Sequence, residues 1–211
     1  MHNPSLFAAR NLRCVRGDRE LFTDLSLALN PGDIIHISGA NGSGKTSLLR
    51  ILSGLHMPEA GDVRWEGLSI FQERPDFLRN LQYIGHLSGI RAELSPLEHM
   101  RYFAALAAQN PQSHMDPIIE RLGLAGFEHE PAYRLSSGQR RRIALSRLLL
   151  RPARLWILDE PFTALDAAGC ELLVQLVDEQ LQTGGMVIFA SHSHTDLFPD
   201  HIRTQSVRLL N

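Results

Sequence analysis

Residues Gly39-Ala40-Asn41-Gly42-Ser43-Gly44-Lys45-Thr46 satisfy the pattern G-x-x-x-x-G-K-[ST] in full. The apolar run Ile34-Ile35-His36-Ile37 precedes this octet and a leucine-rich run from Ser47 to Leu55 follows it, which predicts a strand, a loop and a helix in that order. In that context the octet reads as a phosphate-binding loop. Small residues let successive backbone N–H groups turn inward around an anion, the Lys45 ammonium supplies a point charge for terminal phosphates, and Thr46 offers a hydroxyl to Mg²⁺. Gly39, Ala40, Asn41, Gly42, Ser43, Gly44, Lys45, Thr46 and Ser47 are therefore the candidate nucleotide-binding residues.

The bulk of the chain suits one α/β domain. Its 211 residues are 44% hydrophobic, enough for a real core. Lys and Arg total 21 against 23 Asp and Glu, so no basic footprint points to nucleic acid, and no nucleic-acid partner is expected. Cys14 and Cys170 belong to no C-x-x-C pair, which predicts free thiols in a reducing, cytoplasmic compartment. Met1 to Glu20 has no apolar stretch suited to a signal peptide, and no later run approaches the roughly 20 apolar residues of a membrane span. Any membrane association is expected to come through a partner.

Outward from the loop, Leu6 to Arg10 and the alternating Asp24 to Leu29 predict strands, and Pro31-Gly32 turns the chain into Ile34 to Ser38. Asp62 to Trp65 and Leu81 to Ile84 predict two more. Ser95-Pro96-Leu97-Glu98 combines an N-cap serine, proline at the first helical position and a capping-box glutamate, opening a helix expected to reach Gln109. A shorter helix starts at Asp116-Pro117 and ends near Gly123. The stretch from His86 to Arg134 thus reads as a helical insertion. Beyond it come a helix from Gln139 to Leu150, a buried strand from Leu155 to Leu158, a helix from Ala167 to Gln182, and a strand from Met186 to Ala190. Strands alternating with helices predict a largely parallel sheet covered on both faces.

Two further motifs carry chemistry. The strand Leu155 to Leu158 runs into Asp159-Glu160-Pro161, placing two acids at the carboxyl end of the sheet, where such sheets bind ligands. In a phosphate-loop protein Asp159 is the natural holder of Mg²⁺, and Glu160 can polarise a water for attack on the γ-phosphate. Leu135-Ser136-Ser137-Gly138-Gln139 opens a helix, so hydroxyls, free N–H groups and the positive helix end form a second anion site.

This last run resembles the signature motif of the ATP-binding-cassette (ABC) ATPases. With Asp159-Glu160, Ala164-Leu165-Asp166 and Ser191-His192 following, the resemblance covers nearly the whole chain. It implies a P-loop nucleotide-binding domain with a mostly parallel sheet, N-terminal antiparallel strands and a helical subdomain inserted at residues 86–134. ATP and Mg²⁺ are the implied ligands. The implied roles are phosphate and Mg²⁺ contacts for Lys45 and Thr46, Mg²⁺ for Asp159, catalytic base for Glu160, communication across a dimer for Asp166, and γ-phosphate switch for His192. Ser136, Ser137, Gly138 and Gln139 of one chain would close over ATP held by a second copy, making a homodimer in the ATP-bound state.

Two positions depart from the family pattern. Arg16 stands where an aromatic usually stacks on adenine. The glutamine that usually joins metal, water and helical insertion falls on His86, with Gln82 as the competing candidate. Neutral imidazole can replace an amide as acceptor and metal ligand, but imidazole gains charge near pH ~6.5, which predicts weaker turnover in mild acid.

Three phrases, Tyr83-Ile84-Gly85-His86, Leu21-Phe22-Thr23-Asp24-Leu25-Ser26 and Leu155 through Asp166, resemble the ATPase subunits of bacterial cytochrome c maturation systems. That resemblance implies integral membrane permease subunits as partners, a peripheral place on the cytoplasmic face of the inner membrane, and ATP hydrolysis tied to haem export or to release of a haem-loaded chaperone. Alternatives are the ATPase of another small importer or exporter, or a soluble ABC ATPase. The remaining histidines read as scattered surface or core residues, Trp65, Trp156 and Phe162 as packing, and Arg140-Arg141-Arg142 as the solvated face of a helix, with steering of nucleotide as the alternative.

Overall fold

The computed structural model describes residues 5–106, 115–192 and 197–210. In chain order its strands are β1 (Phe7–Arg16), β2 (Arg19–Leu29), β3 (Ile34–Ser38), β4 (Ala60–Trp65), β5 (Leu68–Ser69), β6 (Leu81–Ile84), β7 (Leu155–Asp159), β8 (Met186–Ala190) and β9 (Thr204–Arg208). The helices are α1 (Lys45–Leu52), α2 (Arg74–Arg79), α3 (Pro96–Leu106), α4 (Met115–Arg121), α5 (Ser137–Leu150) and α6 (Ala167–Gln182), with a 3₁₀ turn at Ala132–Arg134. They form a parallel sheet in the order β6-β7-β8-β3-β9 and an antiparallel sheet in the order β2-β1-β4-β5.

The inner strands of the parallel sheet are buried and mostly apolar on both sides because both sides are covered. Alternation along β3 shows how the layers divide. Ile35 and Ile37 face a core that contains Leu49 and Leu52 of α1 together with Phe7, Leu12 and Trp65 of the antiparallel sheet. Ile34 faces the opposite core, built with Met100 and Phe103 of α3, Ile119 of α4, Leu145 of α5 and Leu173 and Leu176 of α6. Trp156 and Phe162 lie in this second core and Trp65 in the first, as packing residues.

Several elements exceed or depart from the sequence expectation. The N-terminal strands form one long hairpin through Gly17, whose φ is 62°, with the Arg13 guanidinium 2.7 Å from Glu20 across it. Charged residues with no clean alternation hid its outer half. Glu66 and Gly67, both at positive φ, form the tight turn joining β4 to β5. The edge strand β9 has a polar sequence, as exposed edges favour. The helix after the phosphate loop stops at Leu52, before Leu55, because Gly54 turns left-handed at φ 72°. Helix α3 starts as expected, the Ser95 amide donating to Glu98 at 2.8 Å and the Glu98 amide to Ser95 Oγ at 3.3 Å. Its expected end at Gln109 lies outside the described residues. Between β6 and α5 the described residues contain α3, α4 and the 3₁₀ turn, with no strand.

Candidate nucleotide site

Strand register places the site. Ile84 lies opposite Leu158, Asp159 opposite Ala190, and Ile37 opposite Ala190, so β6, β7, β8 and β3 reach their carboxyl ends together. The segments leaving those ends carry His86, Glu160, His192 and the phosphate loop. Main-chain ladders thus gather four separate stretches of sequence at one edge, where parallel sheets bind ligands.

The loop is held open by its glycines. Gly39, Gly42 and Gly44 have φ of 152°, 79° and 100°, and a Cβ on Gly39 would stand 2.5 Å from Ser43 Oγ. The Gly44 position caps α1, so the helix begins at Lys45 and aims its free N–H groups into the loop. Lys45 is buried and donates to the Gly39 and Ala40 carbonyls at 2.8 and 3.1 Å. A cavity of about 350 Å³ is lined by Asn41, Gly42, Gly44, Lys45, Thr46 and Ser47 together with Arg16, Leu21, His86, Glu160 and His192. A second opening brings Thr46 and Asp159 together with His86 and Tyr83.

Glu160 has φ 48°, a left-handed conformation that costs a non-glycine residue about 1–2 kcal/mol. Its amide donates to Ala190 at 2.9 Å and its carbonyl accepts from Thr163 at 3.2 Å, which hold the turn. Its Oε1 lies 3.4 Å from His192 Nε2, within ion-pair distance but without hydrogen-bond geometry. Ser43 Oγ, Asp159 Oδ2 and Glu160 Oε1 are all buried without a hydrogen-bond partner. Leaving such oxygens unmade costs about 1–3 kcal/mol each, so their concentration at one edge marks a place kept for a ligand. His86 lines both openings, whereas Gln82 is turned away and donates to the Arg147 carbonyl at 2.9 Å.

The start of α5 does not line the cavity with the phosphate loop. Ser136 Oγ accepts from the Gln139 amide at 3.1 Å while Gln139 Oε1 accepts from the Ser136 amide at 2.8 Å, a reciprocal cap that occupies both side chains. Ser137 and Gly138 are left to present backbone N–H groups. Asp166 caps α6 through the Gly169 amide at 2.9 Å and is paired with Arg142.

A family profile described as ABC transporter matches residues 22–163. The chain belongs to the ABC transporter family. Over 193 residues, 91% of this chain and 93% of the relative, it is 49% identical to the cytochrome c biogenesis ATP-binding export protein CcmA of Methylococcus capsulatus. Among solved structures, the ATP-binding subunit of an ABC transporter aligns with a TM-score of 0.83 at 22% identity, covering 97% of this chain and 86% of that one. A dimeric ATP-binding cassette in a post-hydrolysis state bound to ADP and Pi aligns with a TM-score of 0.76 at 21% identity, covering 89% and 88%.

This ABC ATPase corrects one expectation outright. Arg140-Arg141-Arg142 is not a solvated face: Arg141 is 5% exposed, Arg140 donates to the Leu135 carbonyl at 2.5 Å, and Arg142 pairs with Asp166. The missed signal was periodicity, because Arg141 shares a helix face with the buried Ala144, Leu145 and Leu148. His36, expected with the remaining histidines to be a surface or core residue, is a core one. It lies in β3 stacked on Phe189 at 4.8 Å, with Nε2 3.2 Å from the Ser191 carbonyl, directly before His192. Burial holds its pKa below the usual imidazole value.

Proposed function

We propose that this ABC ATPase binds ATP at Gly39–Thr46, completes the site with Ser137 and Gly138 of a second copy, and hydrolyses it to drive a membrane complex of c-type cytochrome biogenesis. The observation that carries the chemistry is the set of buried oxygens without a hydrogen bond, Ser43 Oγ, Asp159 Oδ2 and Glu160 Oε1, beside Lys45 and Thr46. Lys45 and the loop amides bind the phosphates, Glu160 takes the proton of the attacking water, and His192 beside it touches the terminal phosphate. His86 stands in the glutamine's place, supported by its position between both openings and by the commitment of Gln82 to α5. Arg16 and Leu21 line the same cavity and are the candidate adenine contacts.

The donor set fits Mg²⁺. Thr46 and Asp159 line one opening, and one carboxylate with one hydroxyl leaves the remaining positions to phosphate and water oxygens, as this ion prefers. Bound there, the ion would neutralise charge on the phosphates. Among the described residues no group of three His, Cys, Asp or Glu could form an all-protein cage.

The dimer is supported by the position of the signature outside the cavity and by the dimer described for one structural neighbour. Coupling to c-type cytochrome biogenesis rests on the 49% identical relative, which disfavours another transport substrate or a soluble ATPase. No described helix is long and apolar enough to cross a membrane, so integral membrane permease subunits would recruit the chain to the cytoplasmic face of the inner membrane. We read residues 86–134 as an inserted helical subdomain that helps form their docking face. A groove of about 760 Å³ between α2, α3 and α5 exposes Leu78, Tyr102 and Leu106 there. The cargo, haem or a haem-loaded chaperone, would be contacted by those subunits.

The test uses Glu160→Gln. Turnover should fall on the order of 10²–10⁴-fold while MgATP still binds. Captured with ATP from detergent-solubilised membranes, the variant should bring integral membrane subunits with it. Near-normal turnover sinks the base assignment, and recovery without membrane partners sinks the coupling.

A further inference from the structure

Arg141 is buried, and its guanidinium reaches four main-chain carbonyls. Its Nε donates to the Pro161 carbonyl at 3.2 Å, and its Nη2 donates to the Asp159 and Glu160 carbonyls at 3.1 and 2.8 Å. Nη1 makes a longer contact, 3.4 Å, to the Gly85 carbonyl, the residue before His86. All these acceptors are main-chain oxygens. Burying a guanidinium is costly, and an apolar side chain of similar size would fill this position at lower cost. Desolvation indeed works against its charge, and the nearby Asp159 and Glu160 carboxylates restore part of the balance. A planar fork with five donors is what can span several carbonyls at once, which neither glutamine nor lysine reproduces.

We propose that Arg141 is a positioning residue that holds Glu160 in its left-handed turn and ties it to the loop carrying His86. The strain at Glu160, φ 48°, persists only if the surroundings over-determine it. The Glu160 carbonyl accepts from Arg141 at the point where the chain leaves β7, so the guanidinium fixes the turn that aims the carboxylate at the cavity. Because Arg141 lies in the second turn of α5, it also joins that carboxylate to the helix whose first residues are the signature. The proposal rests on Glu160 as the base.

A double-mutant cycle between Arg141 and Glu160 separates positioning from mere stability. Arg141→Met should lower kcat about 10- to 100-fold, as misplaced groups do, with KM for ATP within about threefold of the parent. In the Glu160→Gln background the same change should add almost nothing, because the group it positions is already gone. Arg141→Lys keeps the charge but not the fork and should resemble Arg141→Met. Melting temperature and ATP affinity, measured on every variant, identify folded protein. If Arg141→Met does not fold, Arg141→Gln carries the same cycle. Folded variants with kcat within twofold of the parent, losses that multiply in the double variant, or full recovery by lysine would each overturn the proposal. Near-normal turnover of Glu160→Gln alone would instead remove the base assignment on which it rests.

Discussion

Around Lys45, Ser43 Oγ, Asp159 Oδ2 and Glu160 Oε1 are buried without a hydrogen bond, whereas at the starts of α5 and α6 the side chains of Ser136, Gln139 and Asp166 are bonded within their own chain. The first region spends folding stability on readiness for a ligand. The second is complete by itself and has chiefly main-chain N–H groups to offer outward. That asymmetry fits the proposed site divided between two copies, with an unsatisfied cradle on one and a preformed lid on the other.

The largest effect that could break this contrast comes from Gly138. A Cβ there would meet the Ala164 carbonyl at 3.0 Å, and an acid would set a negative charge against phosphate. Gly138→Asp should lower turnover on the order of 10²–10³-fold, comparable to losing a transition-state donor, while the isolated chain still binds ATP. Mixing it with Lys45→Ala should restore part of the rate, since one hybrid site then has an intact loop and an intact signature. No recovery on mixing would refute assembly in trans.

A middling effect would sharpen the cradle side. His86→Ala should cost about 10-fold or more in turnover if its imidazole acts there, whereas Gln82→Ala should leave KM and kcat within about threefold. Steady-state kinetics on both variants decide between the two positions, and equal losses would place neither of them specifically.

The smallest effect concerns stability. His36 and His99 are buried and both titrate below the ordinary imidazole range, chiefly through desolvation. His99 Nε2 accepts from the Arg91 amide at 2.9 Å and its Nδ1 faces the Ser95 carbonyl at 2.9 Å, so protonation would break the first bond. Because the unfolded chain binds these protons more readily, stability is full above about pH 6.5 and falls as pH drops below it towards the lowered folded values. Thermal melts across that range should show the loss, and His99→Gln should flatten it. An unchanged slope would show that His99 contributes nothing to it.

Legibility followed how local the physics was. Gly39 to Thr46 and the cap at Ser95 to Glu98 were readable because each is a contiguous rule about backbone groups. Helix α6 and strand β8 were readable to the residue because their apolar periodicity is unbroken. The outer hairpin, α2 and β9 were not, being short or charged, with pairings that only the neighbouring strands decide. Arg141 departs from the expected solvated face because its place on the apolar side of α5 outweighs its charge. The gathering of His86 beside Thr46 was expected only by analogy with the family, since nothing local in Tyr83 to Leu87 states which side chain reaches the cavity.

The common end-line of β6, β7, β8 and β3 has a further consequence. The relative positions of the loop, the acids and His192 are set by ladders of amide and carbonyl groups, in which every residue but proline supplies both. Sequence can therefore drift widely without disturbing the coordinate frame of the site. That is how a neighbour sharing only 22% of its residues can still superpose in fold with a TM-score of 0.83.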